Sequence, residues 1–246
     1  MDPTHHAITE LVIGLDFQTV DRAIECVDRL EGFEVLYQVG LELFMNGGPE
    51  LLRELAHRKK RVFLDLKFLD TPEVVTKAVQ QAALLHVEVL SLHLGGGGAV
   101  IRTVRQSLEE IPLLRPRLLG VGILDSFDDV KWAEMTRAFT GHALKLSDSF
   151  ETLLDSAFAW GLDGLVCSAM QLKMVRNLYP NLYTLVSSGA PARSLDMGSS
   201  QRLLLSKARE LGADAVLIPA SSMLSAYSQL EVSQVLGGLG FSSAQV

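Results

Sequence analysis

Residues 61–75 read RVFLDLKFLDTPEVV, an apolar run that carries Asp65, Lys67 and Asp70 within six positions. In a strand, residues i and i+2 share a face, so Asp65 and Lys67 are expected to project side by side. Burying charge is unfavourable unless it is paired. A carboxylate held beside an ammonium keeps that ammonium protonated and makes the lysine a positioned acid. On these residues alone, a salt bridge of purely structural value stays open.

Such a pair needs a frame, and the chain supplies a regular one. Apolar segments at 11–17, 34–40, 61–68, 87–95, 117–124, 162–169, 181–189 and 213–220 read as strands. Each is followed by a stretch with helical spacing. After the second strand the helix is expected to open at Pro49. After the fifth, a looser acidic segment is expected before the helix SFETLLDSAFAWG. Eight strands and eight helices over about 230 of 246 residues approach the ~250 typical of a (β/α)8 barrel. Near-continuous apolar strands suit a parallel sheet covered by helices. The rival, an open doubly wound sheet, lacks its Gly-rich turn after the first strand. The expectation is an α/β fold of the (β/α)8 TIM-barrel type, with residues 1–246 as a single domain.

Active sites of such barrels lie at the C-terminal ends of the strands. The polar residues there are Asp16, Gln38, Asp65 with Lys67, His93, Asp125 with Ser126, Ser168, Ser187 to Gly189, and Ser221 with Ser222. Ser126, Ser168 and Ser222 read equally well as ordinary caps. His93 reads as a core histidine, and no second histidine stands at a metal-binding spacing, so no metal is expected. The glycines from Gly95 to Gly98 would let a ligand approach the backbone, but no P-loop lysine follows them.

Composition narrows the partners. A net charge of −7 and a pI near 5.4 leave no broad basic face for nucleic acid. Cys26 and Cys167 are expected as core thiols of a reducing compartment. The opening MDPTHHAITE lacks a signal-peptide layout, and no apolar run approaches the ~18 residues of a membrane span. A cytoplasmic protein with no membrane partner is expected.

These residues resemble the orotidine 5′-phosphate decarboxylase family. Its third-strand motif Asp-x-Lys-x-x-Asp-x-Pro is matched at every fixed position by DLKFLDTP, and GLDF, VGLELF, HLGGG and GLDGLVCSA are similar to further family segments. The resemblance implies conversion of orotidine 5′-monophosphate to uridine 5′-monophosphate and carbon dioxide in pyrimidine biosynthesis, with no cofactor. It implies that Asp16 binds the ribose, that Lys67 protonates C6 of the pyrimidine, and that Asp65 holds Lys67 near the departing carboxylate. Ser126 would contact the pyrimidine. Asp70 would reach into the site of a second subunit, which requires a homodimer.

The same resemblance exposes departures. Gln38 stands where the family has a lysine that links the ribose to the first catalytic carboxylate. Glu73-Val74 replaces Asn-Thr. The segment after the seventh strand keeps only Gly189, and Pro219-Ala220 replaces the Gly-Arg whose arginine grips phosphate. Ser188, Ser221, Ser222 and a helix N-terminus remain as anion donors, and Arg193 as a displaced cation. Two other readings therefore stay open. One is a non-catalytic relative that binds a nucleotide or a protein partner. The other is a different phosphosugar enzyme of the suprafamily, although those carry an acidic metal ligand where Gln38 stands.

Overall fold

The apolar runs form eight parallel strands: β1 Glu10–Gly14, β2 Leu36–Gly40, β3 Arg61–Phe68, β4 Val89–His93, β5 Arg117–Val121, β6 Gly164–Ser168, β7 Tyr183–Ser187 and β8 Ala215–Pro219. A computed structural model describes residues 10–111, 115–187 and 207–221. The strands pair in chain order and β8 returns to β1, closing a barrel. Alternation along each strand divides the apolar residues into two cores. Val12, Leu36, Phe63, Val89, Leu119, Leu185 and Ala215 fill the barrel interior. Leu11, Ile13, Tyr37, Val39, Leu64 and Leu90 pack outward in the second core.

That second core is covered by α1 Val20–Arg29, α2 Leu41–His57, α3 Pro72–Leu84, α4 Gly97–Glu109, α5 Asp129–Thr140, α6 Leu146–Trp160 and α7 Ala169–Leu178. Two differ from the sequence-based expectation. Helix α2 starts at Leu41, directly after β2, and kinks at Gly48, whose φ of 51° and ψ of −150° interrupt the helix. Pro49 therefore marks its second segment, where a missing N–H does no harm. The segment after β5 is not loose. Asp128 caps α5 by accepting the Lys131 N–H at 2.8 Å, and Gly141, at φ 78°, ends it. Among the described residues, no helix is long and apolar enough to cross a membrane. Cys26 and Cys167 are buried free thiols, and burial pushes the pKa of each up to about 12.

The lower end of the barrel is closed by charge. Glu10, Arg61, Arg117 and Tyr183 come from β1, β3, β5 and β7, the alternate strands that supply one interior layer of such a barrel. Arg61 donates to both oxygens of Glu88, at 2.7 and 2.6 Å, and also meets Glu10. Arg117 reaches Glu88 at 2.9 Å and lies 4.5 Å from the centroid of the Tyr183 ring. The Tyr183 hydroxyl donates to Glu10 at 2.7 Å. This paired cluster leaves the opposite mouth free for chemistry.

One strand breaks the regular ladder. Leu64 pairs with Leu90 and Phe68 with Leu92, so four steps along β3 match two along β4. The bulge contains Asp65, Leu66 and Lys67, and Lys67 adopts a left-handed φ of 49°. Few non-glycine residues occupy that region.

Candidate active site

At the C-terminal mouth a cavity of about 390 Å³ opens between β1 and β8 on one side and β5 on the other. Phe63, Val121, Val166 and Leu217 give it apolar walls, while Asp16, Gln38, Asp65, Lys67, Asp125, Ser126 and Ser187 bring polar groups.

Asp65 is the hub. It is only 8% exposed, and each of its oxygens is engaged. Oδ2 accepts from Lys67 Nζ at 2.8 Å and from Gln38 Nε2 at 2.7 Å. Oδ1 accepts from the Ser91 hydroxyl at 2.7 Å. The Ser91 oxygen in turn accepts the backbone N–H of Lys67 at 2.8 Å. The pair was expected from the simple alternation of a strand, and both side chains do reach one cavity. The reason needs correction: a bulge with a left-handed Lys67 places them, and Ser91 satisfies the N–H that the bulge takes from the ladder.

Gln38 keeps a donor toward Asp65, although it brings no charge. Its Oε1 lies over β1, where a Cβ on Gly14 would come within 2.8 Å. Asp16 lies just beyond β1 and is tied to β8: it accepts the Ser221 N–H at 2.8 Å and, on its other oxygen, the Ser221 hydroxyl. Asp125 is accessible within the cavity yet surrounded by protein. Burial raises its carboxyl pKa, against a hydrogen bond from Ser187 and the charge of Lys67.

Other residues singled out in the sequence lie elsewhere. Asp70 is exposed and outside the cavity, and it accepts the Thr71 N–H at 2.6 Å. His93 accepts the Gly95 N–H on Nδ1 at 3.0 Å. Burial, then the charge of Lys67, lowers its pKa. Ser168 caps α7 in a reciprocal pair with Gln171. Gly189 and Ser222, with Ser188 and Arg193, lie outside the described residues. Ala220, where the resemblance implies an arginine, is fully buried. Among the described residues, no group of three or more His, Cys, Asp or Glu could hold a metal ion.

Ser91 is the residue that sequence reasoning missed. Its signal was a single hydroxyl inside VLSLH, at a position that alternation directs inward.

Residues 9–219 match the model of the "Orotidine 5'-phosphate decarboxylase / HUMPS family". A protein of Vibrio atlanticus named orotidine 5′-phosphate decarboxylase is 33% identical over 210 residues, 85% of this chain and 89% of the relative. A Legionella pneumophila protein of the same name is 35% identical over 180 residues, 73% of this chain and 76% of its own length. In structure, the chain is similar to orotidine 5′-phosphate decarboxylase from Lactobacillus acidophilus, with a TM-score of 0.78 at 22% identity over 94% of this chain and 99% of that one. At that identity the likeness speaks for the fold alone.

Proposed function

The chain belongs to the orotidine 5′-phosphate decarboxylase / HUMPS family, and from that premise we propose that it decarboxylates orotidine 5′-monophosphate to uridine 5′-monophosphate. The observation that carries this reading is the Lys67 ammonium, 2.8 Å from the buried Asp65 carboxylate at the mouth of the barrel. In the reaction the bond from C6 to the carboxylate breaks, its electron pair stays on C6, and carbon dioxide leaves. The Lys67 ammonium stabilises the charge as it develops and then gives C6 its proton. The resulting amine regains a proton from solvent. Asp65 holds Lys67 in place through the contact from its Nζ. Asp16 takes the ribose, with Gln38 beside it, and Ser126 contacts the pyrimidine.

The same reading assigns the phosphate to the β7 and β8 ends, near Gly189, Ser221 and Ser222. It takes residues 1–246 as one domain of a cytoplasmic protein that works without a cofactor. It also makes the enzyme a homodimer in which Asp70 completes the neighbour's site. The exposure of Asp70 favours that arrangement, as do Leu41 and Met45 at the start of α2, Leu69 just after β3 and Val74 in the first turn of α3, which stand at least half exposed. An isologous contact would cover them.

The test is incubation of the purified chain with orotidine 5′-monophosphate, following release of carbon dioxide, beside the Lys67→Ala variant. Turnover that Lys67→Ala abolishes is expected. Binding of uridine 5′-monophosphate without turnover would instead identify a nucleotide-binding relative that has lost the reaction.

A further inference from the structure

The two strands that close the barrel, β1 and β8, also meet at Asp16. Gly14 pairs with Pro219 in their ladder, and Pro219 has no N–H to offer. Two residues further along each chain, Asp16 and Ser221 make contact instead. Asp16 accepts the Ser221 N–H at 2.8 Å on Oδ1 and the Ser221 hydroxyl on Oδ2. We propose that Ser221 is a positioning residue for ribose recognition, holding both oxygens of Asp16 so that their remaining acceptor sites meet the 2′- and 3′-hydroxyls. This inference rests on the proposed function, because it takes a ribonucleotide as the ligand of the cavity.

The backbone supports such a grip. The Leu15 N–H donates to the Gln38 carbonyl at 2.9 Å, and the Asp16 N–H turns back to the Gly14 carbonyl at 2.9 Å. The main chain of Asp16 is therefore set by β1 and β2, while its side chain is set by β8. The torsion that ends an aspartate side chain is broad and roughly two-fold. One contact would leave the carboxylate free to rock; two contacts on different oxygens fix it. Asp16 lines the cavity, whereas Ser221 is not among the lining residues. Ser221 thus acts through Asp16.

The remaining valences suit a diol. An ionised carboxylate only accepts hydrogen bonds, at about four lone-pair sites. Ser221 occupies one site on each oxygen, which leaves about one on each. A vicinal diol presents two O–H donors on adjacent carbons, matching two acceptor sites on one carboxylate. A carboxylate aimed before the ligand arrives also loses less freedom on binding. Both donors of Ser221 are thereby engaged away from the phosphate.

The experiment is titration calorimetry of the whole chain with uridine 5′-monophosphate and with its 2′-deoxy and 3′-deoxy forms. All three carry the same base and phosphate, so their ratios report the ribose alone. The wild type is expected to prefer the full ribose over at least one deoxy form by about tenfold or more, the equivalent of one hydrogen bond to a charged group. Ser221→Ala should lower that preference by about three- to tenfold, the cost of ordering one side chain. Ser221→Thr keeps the hydroxyl and should keep the preference. Ser221 is exposed, so neither substitution disturbs the core. A donor to phosphate would weaken all three nucleotides equally in Ser221→Ala, so that result, or an unchanged preference, overturns the role of Ser221. Loss of the preference in Ser221→Thr as well, or indifference of the wild type to both hydroxyls, also overturns it. Failure of the wild type to bind any of the three removes the decarboxylase reading, and this one with it.

Discussion

The hydroxyl of Ser91 takes the backbone N–H of Lys67 at 2.8 Å. It passes its own proton toward Asp65 at 2.7 Å. One fully buried side chain thus fixes both the conformation of the lysine and the direction of the carboxylate. Ser91→Ala should leave the Lys67 N–H unpaired and loosen both groups. Misplacement of reacting groups by an ångström costs on the order of a hundredfold in rate, so kcat should fall about ten- to a hundredfold with KM little changed. A larger rise in KM than fall in kcat would assign Ser91 to substrate binding instead.

Gly14 faces Gln38 across the β1–β2 pair, and an added Cβ would stand 2.8 Å from Gln38 Oε1. Gly14→Ala should push the amide aside and break its bond to Asp65. Because the displaced group is the end of a flexible side chain, the stability loss should be below about 1 kcal/mol. Activity should fall more than thermal stability does, which paired kinetic and melting measurements would show.

The charged base of the barrel predicts a pH effect. The hydrogen bond and charge of Arg61, with those of Arg117, hold the Glu88 carboxyl below its ordinary value, despite burial. A carboxyl depressed in the folded state stabilises the protein above its unfolded pKa and loses that contribution as pH falls through the folded one. Glu88→Gln should therefore cost about 1–3 kcal/mol at neutral pH, at about 2–4 °C of Tm per kcal/mol for a chain of this size. Melting curves should show the gap between variant and wild type narrowing as pH drops below about 4.5.

Donation of Asp70 across a dimer can be read by mixing subunits. Lys67→Ala and Asp70→Ala chains are each expected to be inactive alone. A mixed dimer has one site with its own Lys67 and an intact Asp70 from its neighbour, so random mixing should restore about a quarter of wild-type activity. Recovery no greater than the sum of the separate variants would show that each chain uses its own Asp70.

Ala220 stands where the resemblance implies an arginine that grips phosphate. Its side chain is fully buried against the outer core, so Ala220→Arg should overpack that core by about 1–3 kcal/mol or more. A lowered Tm without tighter uridine 5′-monophosphate is the expected result. Tighter binding at unchanged Tm would show that the new guanidinium escapes to the mouth.

The strands were legible because each is a short apolar run, and the barrel followed from their number and spacing. Helix α5 was not, since among its residues only Trp132 and Thr136 are buried, too few to give an apolar stripe. Asp65, Lys67, Gln38, Asp16 and Ser126 could be named because polar groups at barrel strand ends are conspicuous. The bond of Ser91 to Lys67 could not. It depends on the register between β3 and β4, and the local sequence of neither strand encodes that register shift.

The bulge in β3 has an even length. Because it adds two residues relative to β4, Leu64 and Phe68 both keep their place on the helix side of the sheet. Loss of a single residue there would turn Phe68, the last residue of the strand, inward and away from the outer core. Loss of two would restore a plain ladder and spare the packing, while removing the lysine's perch. Paired deletions offer descendants of such a chain a short route to a barrel that folds and no longer reacts.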